Sequence, residues 1–284
     1  MNELLGRWDL IVGEGADAYP SWVELSLNGG RFVGKVGSAR PLDKVEIVGN
    51  LLKFSLPPQY ESRKDDLVFE GNLEGGVLKG ETTFENGAPA TWSGVRAPDL
   101  PNTSPSWGDP IELVRHDLSN WVPRSPDWVS NWSIQDGMLV NSAAGSDLVT
   151  TDRFKDFKLI AQYAYPKGSN SGIYLRGRYE FQILDDYEGR PNGVGSSAAI
   201  YGFIAPSENA IKPFDEWNTA EITLCGRWVT VVLNGTIVIE NLEIPGITGG
   251  ALDCAEGDAG PLFVQGDHGP VTFRRLTIWP GESD

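Results

Sequence analysis

Residues 170–187, NSGIYLRGRYEFQILDDY, carry polar side chains whose spacing suits acid–base chemistry on one face of a sheet. The Gly-Arg pair at 177–178 predicts a turn between two antiparallel strands, and side chains along each strand alternate between its faces. Glu180 and Gln182 therefore share one face, while the apolar residues between them share the other. Asp185 follows near the end of the second strand.

Arg176 ends the first strand of this hairpin, and a tight turn would place it within reach of Glu180 on the same face. One interpretation is a solvated outer face with an ordinary cross-strand ion pair, which stabilises a protein very little. The other is a site in which the guanidinium and the carboxyl group act together. The spacing alone leaves both interpretations open.

A second segment, PLFVQGDHGPVTFRRLTIW at 261–279, contains His268 in a Gly-Asp-His-Gly turn between two apolar strands. A histidine takes or gives a proton near neutral pH, so His268 is either a catalytic candidate or a turn residue without a chemical role. Arg274 shares its strand face with Leu276 and Ile278. Such a strand face is an unusual place for a guanidinium unless an anionic or oxygen-rich group meets it there.

Several familiar kinds of site are excluded. The chain has no G-x-S-x-G, H-E-x-x-H or P-loop motif, and no G-x-G-x-x-G follows a strand. The acidic loops at 185–188 and 253–258 offer oxygen ligands but lack the EF-hand pattern. We therefore predict no cofactor, with a divalent metal such as calcium as the open alternative.

The strands that must position these residues lie in the C-terminal part of the chain. The strongest local signal is WVTVVLNGTIVIENLEI, in which two β-branched runs flank Asn234-Gly235, the preferred pair for a type I′ hairpin. Further runs of period 2 follow without a long amphipathic helix. About 175 residues of antiparallel strands in one domain predict two packed sheets, a sandwich or jelly roll.

The rest of the chain predicts a second, smaller domain. Short alternating runs separated by Asn-Gly and Gly-Gly turns fill residues 1–96 and predict an antiparallel β-barrel or roll that serves as an accessory domain. Residues 97–110, APDLPNTSPSWGDP, hold four prolines and predict an exposed linker. The larger domain then covers residues 111–284. The fold class is all-β.

Composition narrows the partners and the compartment. The chain has 284 residues, and its 23 basic and 39 acidic residues give a net charge of −16, which argues against nucleic acid and anionic membranes. No apolar run is long enough to span a bilayer, and no signal peptide is visible, so we predict a cytoplasmic protein as given. Removal of an export segment would make it periplasmic or secreted. Its two cysteines favour reduced thiols, and no pattern predicts an oligomeric state.

The motifs NSGIYLRGRYEFQILDDY, AAIYGFIAP, the run from EWN through LNG and the closing QGDHGPVTFRRLTIW resemble, in matched order, the 3-keto-disaccharide hydrolase family over residues 110–280. The resemblance implies a concanavalin-like jelly roll acting on a small sugar or glycoside. Two motifs depart from the family pattern. Residues 113–121 read LVRHDLSNW instead of L-F-N-G-K-D-L-S-G-W, and residues 273–276 read FRRL instead of F-R-N-I.

The chemistry that the resemblance implies begins with the acidic C2 proton beside a C3 ketone. A base removes it, the C1 substituent leaves by elimination, and water adds back. Our hypothesis is that His268 or Glu180 is the base and that Arg176 or Arg274 holds the enolate oxygen. The hydroxyl groups of the sugar would be bound by Gln182, Asp185, Tyr201, Lys212 and Gln265.

Two other functions stay open. A lectin-like module could use the same face to hold glycans without cleaving them, since fold alone does not decide function. A two-carboxylate glycosidase could use Glu180 and Asp185, although a regular strand would separate their backbones by about 16 Å and place them on opposite faces.

Overall fold

The computed structural model describes residues 3–42, 44–188 and 191–282. Within these ranges the chain consists of strands, turns and one 3₁₀ turn, Gly15–Asp17. No helix in the described ranges has the length and apolar character needed to cross a membrane. The prediction of an all-β chain is confirmed.

The chain forms two compact units. The first comprises Met1–Asp99 together with Gly246–Glu256, and the second comprises Leu100–Pro245 together with Gly257–Asp284. The two units therefore do not result from a single division of the chain at the Pro-rich stretch. A short segment from within the larger sequence domain belongs to the first unit, and most of residues 97–110 belong to the second, where Gly108 N–H donates to the carbonyl of Pro280 at 2.8 Å.

The first unit is a nine-stranded antiparallel sheet with the order β4-β3-β2-β1-β9-β8-β7-β6-β5. Phe32 and Phe69, from strands far apart in this order, pack with ring centroids 4.8 Å apart and planes tilted by 48°. Strands from both halves of the sheet contribute to one core, so the sheet curls around it as the predicted barrel or roll. Its strands are β1 Gly6–Val12, β2 Tyr19–Ser26, β3 Gly29–Val33, β4 Arg40–Leu42, β5 Val45–Val48, β6 Leu51–Leu56, β7 Leu67–Glu74, β8 Val77–Thr83 and β9 Pro89–Arg96.

The second unit contains two antiparallel sheets. The eight-stranded sheet has the order β12-β13-β22-β15-β18-β19-β20, with β10 pairing to β22, and the five-stranded sheet has the order β11-β14-β21-β16-β17. The strands are β10 Ile111–Glu112, β11 Trp121–Pro123, β12 Trp132–Gln135, β13 Met138–Asn141, β14 Leu148–Thr150, β15 Phe157–Ala164, β16 Asn170–Leu175, β17 Tyr179–Leu184, β18 Asn218–Cys225, β19 Trp228–Leu233, β20 Thr236–Glu243, β21 Phe263–Val264 and β22 Val271–Pro280.

The two sheets pack face to face as a jelly-roll sandwich. Contacts in their shared core show which side chains of each strand point inward. Phe181 of β17 meets Tyr163 of β15 in the other sheet, with ring centroids 6.3 Å apart. The odd-numbered side chains of β16 and β17 therefore point into the sandwich, and the even-numbered ones point to the outer face.

The predicted type I′ turn at Asn234-Gly235 is confirmed. The two residues have φ of 53° and 86°, the left-handed values that this turn requires. The two cysteines, Cys225 and Cys254, are free.

Candidate active site

The outer face of the five-stranded sheet presents two parallel rows of side chains. In the first, the apolar row, the strand register places one residue of each strand beside the next, from β11 at the sheet edge to β17. This row ends in the carboxyl group of Glu180. The second, the polar row, lies beside it. The apolar row consists of Val122, Val149, Phe263, Tyr174 and Glu180, and the polar row consists of Arg124, Asp147, Gln265, Gly172 and Gln182.

Glu180 is buried although it lies on an outer face, with 5% of its surface exposed. The hydroxyl of Tyr174 donates to its Oε2 at 2.9 Å. Burial raises the pKa of Glu180 to about 8, against the opposing effects of the Tyr174 hydrogen bond and the charge of His268. The carboxyl group is therefore protonated at neutral pH and suited to give up a proton.

The pocket that holds this carboxyl group depends on a glycine. A methyl group at Gly172 would come 2.7 Å from Oε1 of Glu180, so glycine at this position leaves room for the carboxyl group where it lies. Gln182 lies across from Gly172 in the strand pair, and its amide nitrogen reaches Oε1 of Glu180 at 3.2 Å and the carbonyl of Ser171 at 3.1 Å in the orientation that satisfies both. The amide fixes the carboxyl group on the side opposite Tyr174.

His268 lies in the turn after β21, where it is about half exposed. Its Nδ1 pairs with the carboxylate of Asp267, and this hydrogen bond raises the pKa of His268 while partial burial lowers it. The charges of His268 and Glu180 each shift the pKa of the other, so the two side chains lie near each other. The side chain of Asn141 holds the turn by donating to the carbonyls of Gly266 and Gly269, both at 3.2 Å.

Asp147 and Arg124 extend the site along the polar row, and sequence reasoning missed both. Arg124 Nη1 lies 3.2 Å from Oδ2 of Asp147, and its guanidinium covers the ring of Phe263 at 5.1 Å. Oδ1 of Asp147 accepts the backbone N–H of Gly266 at 2.8 Å, and burial raises the pKa of Asp147. No local motif marks either residue, because the register of strands distant in sequence is what brings them together.

Two further predicted residues lie close to these rows: Gln265 is a member of the polar row, and Tyr201 lies at the edge of β17. The backbone N–H of Tyr201 donates to the carbonyl of Glu180 at 2.9 Å, so the segment that carries Tyr201 pairs along the edge of β17. Gln265 is 9% exposed, its backbone N–H donates to the carbonyl of Gly172 at 2.9 Å, and no donor in the described part of the chain reaches its Oε1. Such a buried acceptor is left to be paired by water or by a ligand.

Asp185 lies in the loop after β17 and has a structural partner there. Its Oδ2 accepts the backbone N–H of Gly168 at 2.6 Å. The next residue, Asp186, likewise accepts the backbone N–H of Ser197 at 2.9 Å. These contacts order the loop beside the site.

The expectation that Arg176 shares a face with Glu180 is wrong. Arg176 adopts a left-handed conformation with φ of 53°, which breaks the alternation at the end of β16. Its fully buried guanidinium donates to the hydroxyl of Tyr179 at 3.1 Å and to the carbonyl of Gly226, between the sheets. Arg176 ties the hairpin to the turn between β18 and β19, and it is far from the outer face.

Arg274 and Lys212 form a different group around Trp217. A β-bulge shifts the register of β22 opposite Gln162 and Tyr163, so Arg274 leaves the buried face of its strand and is exposed. Its guanidinium covers the ring of Trp217 at 4.5 Å, and Lys212 Nζ donates to the carbonyl of Trp217 at 3.1 Å. Within the described ranges, neither side chain contacts the two rows.

Within the described ranges, no three His, Cys, Asp or Glu side chains gather where a metal ion could bind. The remaining histidine, His116, is 91% exposed and lies beside Asp117, outside the two rows.

Comparisons with known proteins agree with this architecture. A "putative glycosyl hydrolase" from Parabacteroides distasonis superimposes with a TM-score of 0.51 at 26% identity, covering 64% of this chain and 92% of that chain. Another from the same organism gives a TM-score of 0.51 at 18% identity over 61% of this chain and 94% of that chain, which shows the fold alone.

A curated 3-keto-disaccharide hydrolase from Bacteroides thetaiotaomicron is 27% identical over 156 residues, 43% of this chain and 51% of that protein. The chain thus spans about half the length of the curated relative it matches. Residues 111–279, more than half of the chain, match the family described as the 3-keto-alpha-glucoside-1,2-lyase-like domain. The resemblance predicted from the sequence motifs is confirmed, and the chain belongs to this family of carbohydrate hydrolase-like proteins.

Proposed function

We propose that the protein cleaves the glycosidic bond of a 3-keto glycoside by removing the C2 proton, eliminating the C1 substituent and adding water. The observation that carries the proposal is the pairing, on one sheet face, of a carboxyl group with a pKa of about 8 and a histidine oriented by an aspartate. Together these supply an acid and a base at the same pH.

His268 is the base in this proposal. Its Nδ1 is engaged by Asp267, which orients the imidazole and leaves Nε2 free of any partner in the described ranges. Nε2 takes the C2 proton, and the electron pair of the C2–H bond passes to the C3 carbonyl oxygen to give an enolate. In this proposal the side-chain amide of Gln265, a member of the polar row, donates to this oxygen.

Glu180 is the acid. As the enolate collapses, a C1–C2 double bond forms and the C1–O bond breaks, and Glu180 gives its proton to the departing oxygen. Tyr174 and Gln182 hold the resulting carboxylate in place. Water then adds to C1 with the same groups acting in reverse, Glu180 taking the proton of water and His268 returning one to C2.

The two-carboxylate glycosidase is the weaker alternative. The other carboxyl groups near Glu180 are those of Asp267, beside His268, and Asp147, just before β14, and the charges of both raise the pKa of Glu180. Asp147 is engaged by Arg124 and by the backbone N–H of Gly266, and Asp267 is engaged by His268, so each already has another partner. Asp185, the partner suggested by the sequence, is held by a loop N–H outside the rows.

Incubation of the protein with 3-keto glucosides and with their unoxidised parents tests the proposal. We expect turnover of the keto substrates alone, with Glu180→Gln and His268→Ala each reducing it severely. Turnover of the unoxidised parents would favour the glycosidase. Calorimetric binding of sugars without any product would favour a lectin-like module. A parallel incubation with chelator tests whether calcium takes part.

A further inference from the structure

In the first unit, antiparallel pairing brings the ends of successive strands together at one end of the curled sheet, which we call the mouth. The pairs that mark the mouth are Val12–Tyr19, Trp22–Val33, Phe32–Arg40, Leu56–Leu67 and Thr83–Pro89. Arg40 begins β4 there, and Glu61 and Arg63 lie in the connection between β6 and β7. Charged residues from two separate parts of the chain therefore meet at the mouth.

Arg40, Glu61 and Arg63 form a buried charged cluster. Their side chains are 6%, 4% and 6% exposed. Nη1 of Arg40 lies 3.1 Å from Oε1 of Glu61, and Nη2 of Arg63 lies 3.8 Å from the same oxygen. One carboxylate thus faces two guanidinium groups, and the three side chains together keep an excess of positive charge where an uncompensated charge is costly.

Both guanidinium groups leave the same edge without a hydrogen bond. Nη1 of Arg40 donates to the carbonyl of Pro57 at 2.7 Å. Nη1 of Arg63 donates to the carbonyl of Leu56 at 3.0 Å. Nε and Nη2 of both arginines have no hydrogen-bond partner in the described part of the chain. This Nε–Nη2 edge is the fork that binds two oxygens of a carboxylate or phosphate group, and buried donors of this kind are normally paired.

Gly34, in the connection between β3 and β4, gives the fork of Arg40 its space. A methyl group at this position would collide with Nη2 of Arg40. The φ of Gly34 lies outside the left-handed region, so its backbone conformation suits any residue. What the glycine allows is the close approach of the guanidinium group.

Tyr19 connects the cluster with an open cavity at the mouth. Burial, followed by the charge of Glu85, raises the pKa of Tyr19 to about 12. The charges of Arg40 and Arg63 act in the opposite direction, so the phenol lies near both arginines. Tyr19 also lines a cavity of about 470 Å³, whose other walls include Asp17, Lys35, Phe84 and Glu85. A small ligand can therefore approach the cluster along Tyr19.

The interior of the curled sheet excludes a long ligand. Phe54 and Phe69 stack in it with ring centroids 4.9 Å apart, and Phe32 packs against both. Close-packed rings leave no room for an extended chain.

We infer that the mouth of the first unit binds the oxyanion group of a small ligand, a carboxylate or a phosphate group, through the Nε–Nη2 forks of Arg40 and Arg63. Glu61 holds the two guanidinium groups in position. A carboxylate can satisfy one fork, whereas the additional oxygens of a phosphate group can meet both, so phosphate should bind more tightly. This site uses no residue of the two rows.

Calorimetry on the full chain tests the site with inorganic phosphate, acetate and chloride at one ionic strength. Phosphate and acetate should bind, and chloride, which offers no pair of oxygens, should bind at least about tenfold more weakly than phosphate. Arg63→Lys keeps the charge and removes the fork, so it should weaken phosphate binding about tenfold or more. Gly34→Ala should weaken it as well. Arg31→Lys, at a 43% exposed arginine paired with Glu24 in the same unit, is the matched control and should change nothing.

Glu61→Gln distinguishes a binding site from a structural ion cluster. The variant keeps an oxygen for the backbone N–H groups of Gln59 and Tyr60 but loses the negative charge, so phosphate should bind about tenfold more tightly. Melting curves check folding, and phosphate should raise the Tm of wild type and Glu61→Gln more than that of Arg63→Lys. Neither heat nor a rise in Tm with phosphate or acetate, or equal phosphate binding by wild type and Arg63→Lys, would overturn the site.

Discussion

The two outer faces of the sandwich follow the same alternation and yet treat their polar side chains differently. On the five-stranded sheet Glu180, Gln182 and Tyr174 are 5% exposed or less. On the eight-stranded sheet Glu221 and Arg274 are exposed, and Arg274 lies over a tryptophan ring. Period 2 assigns a side chain to an outer face, but the surrounding loops decide whether that face is solvated. Only a face walled in by loops can raise the pKa of a carboxyl group by burial.

The strongest test of this difference between the two faces is to neutralise one carboxyl group on each. Glu180→Gln should lower kcat on a 3-keto glucoside by about 10²–10⁴, because the general acid is lost while the shape is kept. Glu221→Gln, the matched change on the eight-stranded sheet, should leave kcat within about twofold. Similar kcat values for the two variants would mean that the buried carboxyl group of Glu180 has no catalytic role.

The pH dependence of kcat/KM should show both groups at once. Glu180 acts protonated, so activity should fall as pH rises through about 8. His268 acts as a neutral base, and its hydrogen bond to Asp267 raises its pKa. Activity should therefore also fall as pH decreases, and this fall should begin above the ordinary pKa of histidine. We expect a narrow optimum between these limits. A profile flat from pH 6 to 9 would exclude this pair.

Gly172→Ala sharpens the comparison without removing any functional group. The added methyl group would press on Oε1 of Glu180 from 2.7 Å and displace the carboxyl group from Gln182. We expect kcat to fall about tenfold because the carboxyl group is displaced. Tm should change little, because the end of the Glu180 side chain can move. Crystal structures of the variant would show the shift, and an unchanged kcat would show that the position of Glu180 is not critical.

The smallest expected effect is on stability. The folded-state pKa of Glu180, about 8, lies above its ordinary value, so the folded state holds the proton between about pH 4.5 and 8 and the unfolded state does not. Wild type should therefore lose stability as pH rises through that window. Glu180→Gln cannot lose a proton, and its Tm should exceed that of wild type by roughly 5 °C at pH 9 and match it at pH 4. Parallel melting curves for both proteins would contradict the raised pKa.

The sequence predicted those parts of the site that depend on local pattern. Alternation along β17 placed Glu180 and Gln182 on the outer face and Phe181 in the core, and the turn at 177–178 paired the strands. The family motifs added Gln265 and the turn of His268, which no spacing rule connects to Glu180.

The parts that could not be predicted depend on backbone irregularity or on distant register. A left-handed φ at Arg176 and a bulge at Arg274 each reverse a side chain, and neither is visible in a pattern of period 2. Asp147 and Arg124 reach the site because β14 and β11 pair with strands more than 100 residues away or with each other. Such pairings are decided by the whole sandwich.

Transfer of deuterium from solvent to C2 tests the central claim most directly. Cleavage of a 3-keto glucoside in D₂O, stopped early and followed by NMR, should give 3-keto glucose with deuterium at C2, because the proton taken by His268 is exchanged before water adds back. Incubation of 3-keto glucose alone corrects for exchange without enzyme. Product that keeps its original C2 proton, formed at the full rate, would contradict elimination and the roles assigned to His268 and Glu180.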